Sequence, residues 1–209
     1  MNSGMLLHLE MTKRCLLECP KCPRTIYKGR YIIDDLNIDH AKELVIKTKP
    51  RIVNMCGNLG DPIYHPRLIE FITWLEEENY SWDLHTNGSG KKQSWWQELY
   101  DCYETKYNKI WFGVDGLADT AHNYRVGINW QQSFDAMCLG VKQGKDIYWQ
   151  WIPFSFNEHQ IDDAKKLATD NGINLVLRLS SRWDENDPLM PSPKWLPTEG
   201  HNGNIKEML

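Results

Sequence analysis

Apolar and polar positions follow two alternating periods along the whole chain. Short apolar runs at Met5–Thr12, Arg51–Cys56, Ser81–His85, Lys109–Val114, Asp146–Phe154 and Asn174–Leu179 read as strands. Between them, apolar residues recur at helical spacing. One such face carries Ala41, Leu44 and Val45, within Asp39–Lys47. The clearest carries Leu68, Phe71, Ile72 and Leu75, with Pro66 suited to its first turn. Trp96, Leu99, Tyr100 and Tyr103 form a third face, and Trp130, Phe134, Met137, Cys138 and Val141 a fourth. A last helix is expected over Ile161–Asp170, stopped by Asn171-Gly172.

The pattern predicts six strands with a helix after each of the first five. Successive βα units favour right-handed crossovers and a parallel sheet. A closed eight-stranded barrel typically needs about 250 residues, and this chain has 209. The expected fold class is therefore α/β: an incomplete parallel (β/α)6 partial TIM barrel, with its active site at the C-terminal strand ends. Residues 183–209 differ, because Pro188, Pro191, Pro193 and Pro197 forbid an ordinary helix. The expected division is a core over 1–182 and a proline-rich tail over 183–209. That tail covers a barrel edge, closes over the active site, or stays disordered.

Composition narrows the classes. A formal charge of -4 gives no global field for nucleic acid or an anionic membrane. No apolar run approaches the roughly 20 residues of a membrane helix. Met1–Leu9 lacks the basic and apolar regions of a signal peptide. The expectation is a cytoplasmic chain with reduced thiols. Ten tryptophans are many for this length, and core and surface packing is favoured over a stacking platform for bases.

The chemistry concentrates in Cys15, Cys19 and Cys22, spaced Cys-x3-Cys-x2-Cys. Three thiolates on one loop can hold three irons of a [4Fe-4S] cluster. Clusters that only carry electrons usually take a fourth cysteine, so three leave one iron open to a non-protein ligand. A structural zinc is the rival, with His8 or Cys56 as fourth ligand. The remaining unusual sequences also fall after strands, where parallel α/β folds bind ligands. They are Gly57-Asn58-Leu59-Gly60-Asp61-Pro62, Thr86-Asn87-Gly88, Asp115-Gly116, Phe154-Ser155-Phe156-Asn157-Glu158 and Ser180-Ser181-Arg182. Cys102 and Cys138 read as small buried hydrophobes, Cys56 as a residue at the proposed mouth. The seven histidines form no His-x3-His pair and are assigned no catalysis.

The cysteine run resembles the signature of the radical S-adenosylmethionine (radical SAM) family. The loop from Gly57 to Pro62 resembles that family's Gly-Gly-Glu-Pro region, with Asp61 where glutamate is usual. The resemblance covers about residues 5–182. It looks most like the core of the SPASM/twitch-type branch without the auxiliary-cluster domain. It implies a [4Fe-4S] cluster on Cys15, Cys19 and Cys22, with S-adenosyl-L-methionine on its open iron. Gly57, Asn58, Gly60 and Asp61 would hold the methionine part. Asn87, Asp115, Arg125 and Asn157 lie where relatives touch the cofactor. Each has a plain alternative: Asn-Gly and Asp-Gly are turn sequences, Arg125 suits a salt bridge, and Asn157 with Gln160 resembles a helix N-cap.

Besides Asp61, two further departures stand out. Gly113 replaces a frequent serine. Lys21 replaces an aromatic residue that packs on adenine, with the Lys21 stem or Tyr27 as substitute. The implied reaction is reductive cleavage of the cofactor to methionine and a 5′-deoxyadenosyl radical, which abstracts hydrogen from an unknown substrate. The implied partner is a one-electron donor such as flavodoxin or ferredoxin. Alternatives are a nucleoside- or deazapurine-forming enzyme, a peptide-modifying enzyme, or a non-catalytic iron–sulfur or zinc module.

Overall fold

The computed structural model describes residues 4–104, 107–180, 182–184 and 186–196. It contains six strands: β1 (Leu6–Leu9), β2 (Ile52–Met55), β3 (Trp82–Thr86), β4 (Lys109–Gly113), β5 (Asp146–Trp151) and β6 (Asn174–Leu177). All five pairings are parallel and the spatial order is the sequence order, β1 to β6. The helices are α1 (Pro23–Ile26), α2 (Ile38–Thr48), α3 (Leu68–Glu77), α4 (Gln93–Asp101), α5 (Trp130–Lys142) and α6 (Ile161–Asp170). The expected partial barrel is therefore observed, with the one-turn α1 as an addition. No helix among the described residues is long and apolar enough to cross a membrane.

Strand alternation separates two faces. Val53, Met55, Trp82, Leu84, Ile110, Phe112, Ile147, Trp149 and Trp151 point to the helices and are almost fully buried. They meet Ala41, Val45, Phe71, Ile72, Leu75, Leu99, Tyr100 and Met137 in one continuous core. Each such aliphatic or aromatic side chain contributes about 1.5–3 kcal/mol through burial. Four tryptophans, Trp82, Trp96, Trp149 and Trp151, are spent here.

The opposite, concave face is polar. His8, Asn54, Asp83 and Lys109 share one row across β1–β4. His85, Trp111 and Tyr148 share the next, and Gly113 and Gln150 the one above. Parallel strands packed on both faces read as unbroken apolar runs. The alternation here means that the inner face is not an apolar core.

Some boundaries differ from expectation. β5 ends at Trp151 rather than Phe154, because the Ile152 N–H leaves the ladder to donate to Asp115 Oδ1 at 2.7 Å. α3 starts at Leu68, with Arg67 and not Pro66 at its entry. Tyr103 lies beyond α4 and is still buried, edge-on to Trp82 at 4.8 Å.

Candidate active site

The loop after β1 carries Cys15, Cys19 and Cys22. Its start is fixed by Arg14, whose Nε and Nη2 donate to the Asp35 carboxylate at 3.0 and 3.1 Å. Within the loop, the Cys22 N–H donates to the Cys19 carbonyl at 3.0 Å. The Leu17 N–H reaches Cys15 Sγ at 3.4 Å. Arg24, on α1, donates to the Leu17 carbonyl. These bonds turn all three sulfur-bearing residues toward one cavity of about 300 Å³ at the C-terminal ends of the strands. Cys19 is also wedged among Leu17, Tyr124 and Phe154. None of the three is in a disulfide.

Burial and the nearby Asp61 push the Cys15 thiol up to about 12, and burial raises Cys19 against the pull of Arg125. Such thiols ionise only with a cation at hand, which a metal supplies. Three thiols on one cavity wall, Cys19 buried and Cys15 and Cys22 partly so, suit a cluster with three protein ligands. Among the described residues no three His, Cys, Asp or Glu side chains are gathered for a single metal ion. Cys56 lines the same cavity, but its charged neighbours are Asp61, Glu10, Arg182 and Arg178 rather than the triplet. His8 faces His85 on the concave sheet.

The loop after β2 presses on the cysteine loop backbone to backbone. A Cβ on Gly60 would collide with the Thr12 carbonyl, and one on Gly57 with the Gly60 carbonyl. Glu10, which the sequence pattern did not single out, holds this loop: its Oε1 accepts from the Leu59 and Gly60 N–H groups at 2.6 and 3.2 Å. The Asn58 carbonyl meets Cys22 Sγ at 3.7 Å. Asp61 is buried and its carboxylate is committed internally. Oδ1 accepts from the Ile63 N–H at 3.2 Å; Oδ2 accepts from Thr86 Oγ1 at 3.0 Å and the Asn87 N–H at 2.7 Å. Asn87 Nδ2 also donates to Oδ2 and lies 3.6 Å from Cys15 Sγ. Asp61 and Asn87 thus tie the loops after β2 and β3 to the first cysteine.

Burial, only partly opposed by those donors, raises the Asp61 carboxyl from 3.8 to about 6. The native state then binds its proton more tightly than the unfolded chain does. Stability falls as pH rises between those values, by about 3 kcal/mol at most. Urea unfolding of the metal-free chain at pH 4, 5, 6 and 7 should show this decline, and Asp61→Asn should remove it. An equal decline in both proteins would rule Asp61 out as its source.

Arg125 lies in the cavity wall with its Nε 2.7 Å from Asp115 Oδ2. Burial weighs against its charge, but Asp115, Cys19 and Tyr124 outweigh that and raise its pKa. Gly113 is explained by this arrangement: a Cβ there would lie 2.8 Å from Arg125 Nη2. The guanidinium fills the space of the missing side chain. Asp115 is fully buried behind Arg125, its other oxygen taken by Ile152.

Asn157 is also fully buried, and the N-cap reading is corrected. Its side chain makes no cap bond but reaches backward, accepting from the Phe154 N–H at 2.7 Å and donating to the Ile152 carbonyl at 3.1 Å. Gln160 bonds across to Leu117, Thr120 and Asp119 instead of closing a capping box. The structure thus brings Cys15, Cys19, Cys22, Gly57, Asn58, Gly60, Asp61, Asn87 and Arg125 to one cavity. Asp115 and Asn157 support its wall from behind.

The described part of the tail packs beside the cysteine loop. Lys21 pairs with Asp184 at 2.8 Å and Asp187 at 2.6 Å. Trp183 stands edge-on to Phe154 at 6.1 Å. Ser155 donates to the Leu189 and Pro188 carbonyls at 3.2 and 2.7 Å. Lys21 is therefore turned to the tail, and Tyr27 is half exposed at the end of α1. Ser181 and Pro197 lie outside the described residues. His85, passed over in the sequence, lines the cavity floor beside Trp111.

No family model matches the chain. A curated relative from Pyrococcus furiosus, a tungsten-containing aldehyde ferredoxin oxidoreductase cofactor-modifying protein, is 26% identical over 122 residues, 56% of this chain and 32% of the relative. Among solved structures, Streptococcus suis SuiB bound to S-adenosylmethionine matches with a TM-score of 0.74 and 15% identity, over 90% of this chain and 43% of SuiB. SuiB has also been solved with a precursor peptide, SuiA, and matches there with a TM-score of 0.73 and 15% identity, over 89% of this chain and 42% of SuiB. Native anSMEcpe with bound AdoMet matches with a TM-score of 0.61 and 17% identity, over 97% of this chain and 56% of that one. The chain spans about a third of the curated relative and under half of SuiB. Its fold is that of these structural neighbours, which are radical SAM enzymes.

Proposed function

We propose that the chain is a radical SAM enzyme that binds one [4Fe-4S] cluster through Cys15, Cys19 and Cys22. One observation carries the reading: the three cysteines share a cavity wall with the loop from Gly57 to Asp61, in the fold of structures solved with S-adenosylmethionine. The chemistry that a bound, reduced cluster supplies is one-electron cleavage of S-adenosylmethionine to methionine and a 5′-deoxyadenosyl radical, which takes hydrogen from a substrate C–H bond. The residues of the chain bind, orient and shield. The loop from Gly57 to Gly60 lines the cavity for the methionine portion, held there by Glu10 and by the close backbone packing that its two glycines allow. Arg125, fixed by Asp115, offers its remaining guanidinium edge to a carboxylate. Tyr124, Phe154 and Trp183 keep water from the cysteine loop. The proposed electron source is a flavodoxin- or ferredoxin-like donor.

Anaerobic reconstitution with iron and sulfide tests this. The expected product is a brown protein with roughly four irons per chain that releases 5′-deoxyadenosine when reduced with S-adenosylmethionine. A colourless protein holding one zinc would replace the enzyme reading with that of a structural module.

A further inference from the structure

We propose that the concave face of the sheet, next to the cysteine cavity, binds a substrate carboxylate through Arg178. The inference rests on the enzyme reading above and names the class of molecule that the site would take.

Arg178 follows β6, and its guanidinium lies over the Trp111 ring at 4.9 Å from the centroid. Among the described residues that ring contact is what fixes its side chain. Among the described residues the Arg178 side chain makes no ion pair and no hydrogen bond, and its Nε is buried without an acceptor. A half-buried cation with unused donors is an unfavourable arrangement unless an acceptor arrives. Every other arginine at this end is occupied. Arg14 holds Asp35, Arg24 holds the Leu17 carbonyl, Arg125 holds Asp115, and Arg182 donates to the Lys21 carbonyl. Burial lowers the Arg178 pKa, against the pull of Cys56 and Asp83. Neither of those groups is within bonding distance.

The surroundings shape what can approach. Trp111 stacks on Tyr148 at 4.3 Å and lies parallel to His85 at 5.6 Å, giving a flat aromatic floor. His85 is held by Asn54 at 3.2 Å; burial, with Arg178 and His8 beside it, lowers its pKa to about 4. It is therefore neutral at pH 7 and adds no second charge. Gln150 lines the cavity with a side-chain amide that makes no hydrogen bond among the described residues. The site therefore offers one unpaired fork, one amide and a flat floor. Asp83 shares the sheet face. Lys109 lies over the Tyr148 ring at 5.1 Å and opposite Asp83 in the register, so its charge is set against Asp83 and the Arg178 fork is left for a single negative charge rather than a dianion. The two oxygens of a carboxylate match the planar fork.

The probes are benzoate, its neutral analogue benzamide, and phenyl phosphate, titrated calorimetrically into the reconstituted full chain. Benzoate should bind at least tenfold more tightly than benzamide and than phenyl phosphate. Arg178→Gln should weaken benzoate at least tenfold and leave benzamide unchanged; Arg178→Lys, which keeps charge but loses the fork, should fall between. Unchanged benzamide binding shows that the floor survives each substitution. Equal binding of benzoate and benzamide, undiminished benzoate binding in Arg178→Gln, tighter phenyl phosphate, or no benzoate binding at all would overturn the assignment. The titration needs neither reduction nor turnover. A chain that binds benzoate through Arg178 yet never cleaves S-adenosylmethionine would sink the enzyme reading alone.

Discussion

Cys19→Ala, reconstituted anaerobically with iron and sulfide, should hold less than about one iron per chain where the native chain takes up roughly four. The reason is positional. Cys19 is the middle ligand of the proposed set, and at 8% exposure it is pinned among Leu17, Tyr124 and Phe154. Cys56 also lines the cavity, but its charged neighbours are Asp61, Glu10, Arg182 and Arg178 rather than the triplet. Cys56→Ala is therefore the matched control and should load like the native chain. Iron, sulfide and the absorbance near the charge-transfer bands report the outcome. Native iron content in Cys19→Ala would falsify the ligand set, and loss of iron in Cys56→Ala would make Cys56 a fourth ligand and close the open coordination position.

Asp115→Ala should destabilise the chain by about 3 kcal/mol, the lower end of the range for breaking a buried ion pair. Asp115 is fully buried, and Arg125 keeps a fifth of its side chain exposed, which tempers the loss. Two things fail at once. The Arg125 guanidinium loses its 2.7 Å partner, and the Ile152 N–H loses its acceptor where the chain leaves β5. Since whole domains are stable by only about 5–15 kcal/mol, the shift in the urea midpoint is large. Asp115→Asn keeps an oxygen for one of the two donors and should cost less. A change below about 1 kcal/mol in Asp115→Ala would mean that Arg125 finds another partner.

The sheet was legible in the sequence because its code is local. Each strand places apolar residues on alternate positions, each helix on every third or fourth, and turn residues separate them. The cysteine triplet was legible for the same reason: three residues within one loop share a fate. What stayed hidden depends on pairings across the chain. Nothing near Glu10 in sequence announces that it will hold the N–H groups of Leu59 and Gly60. Asp61 reads as an available carboxylate until Thr86 and Asn87 arrive from the next strand to use it. Asn157 has the sequence of a cap, but the chain ahead of it offers better partners. Gly113 looked like an omission and is the clearance for Arg125. Lys21 is claimed by two tail acids more than 160 positions away in sequence.

The order of the strands is also an order of synthesis. Because β1 to β6 add side by side in the direction of translation, each new βα unit can dock on its predecessor as it leaves the ribosome. The cysteines emerge in the first unit, whereas their aromatic cover, Tyr124, Phe154 and Trp183, emerges in the second half. A nascent chain would thus leave its thiols uncovered until the segments that carry Tyr124, Phe154 and Trp183 have followed them out and docked.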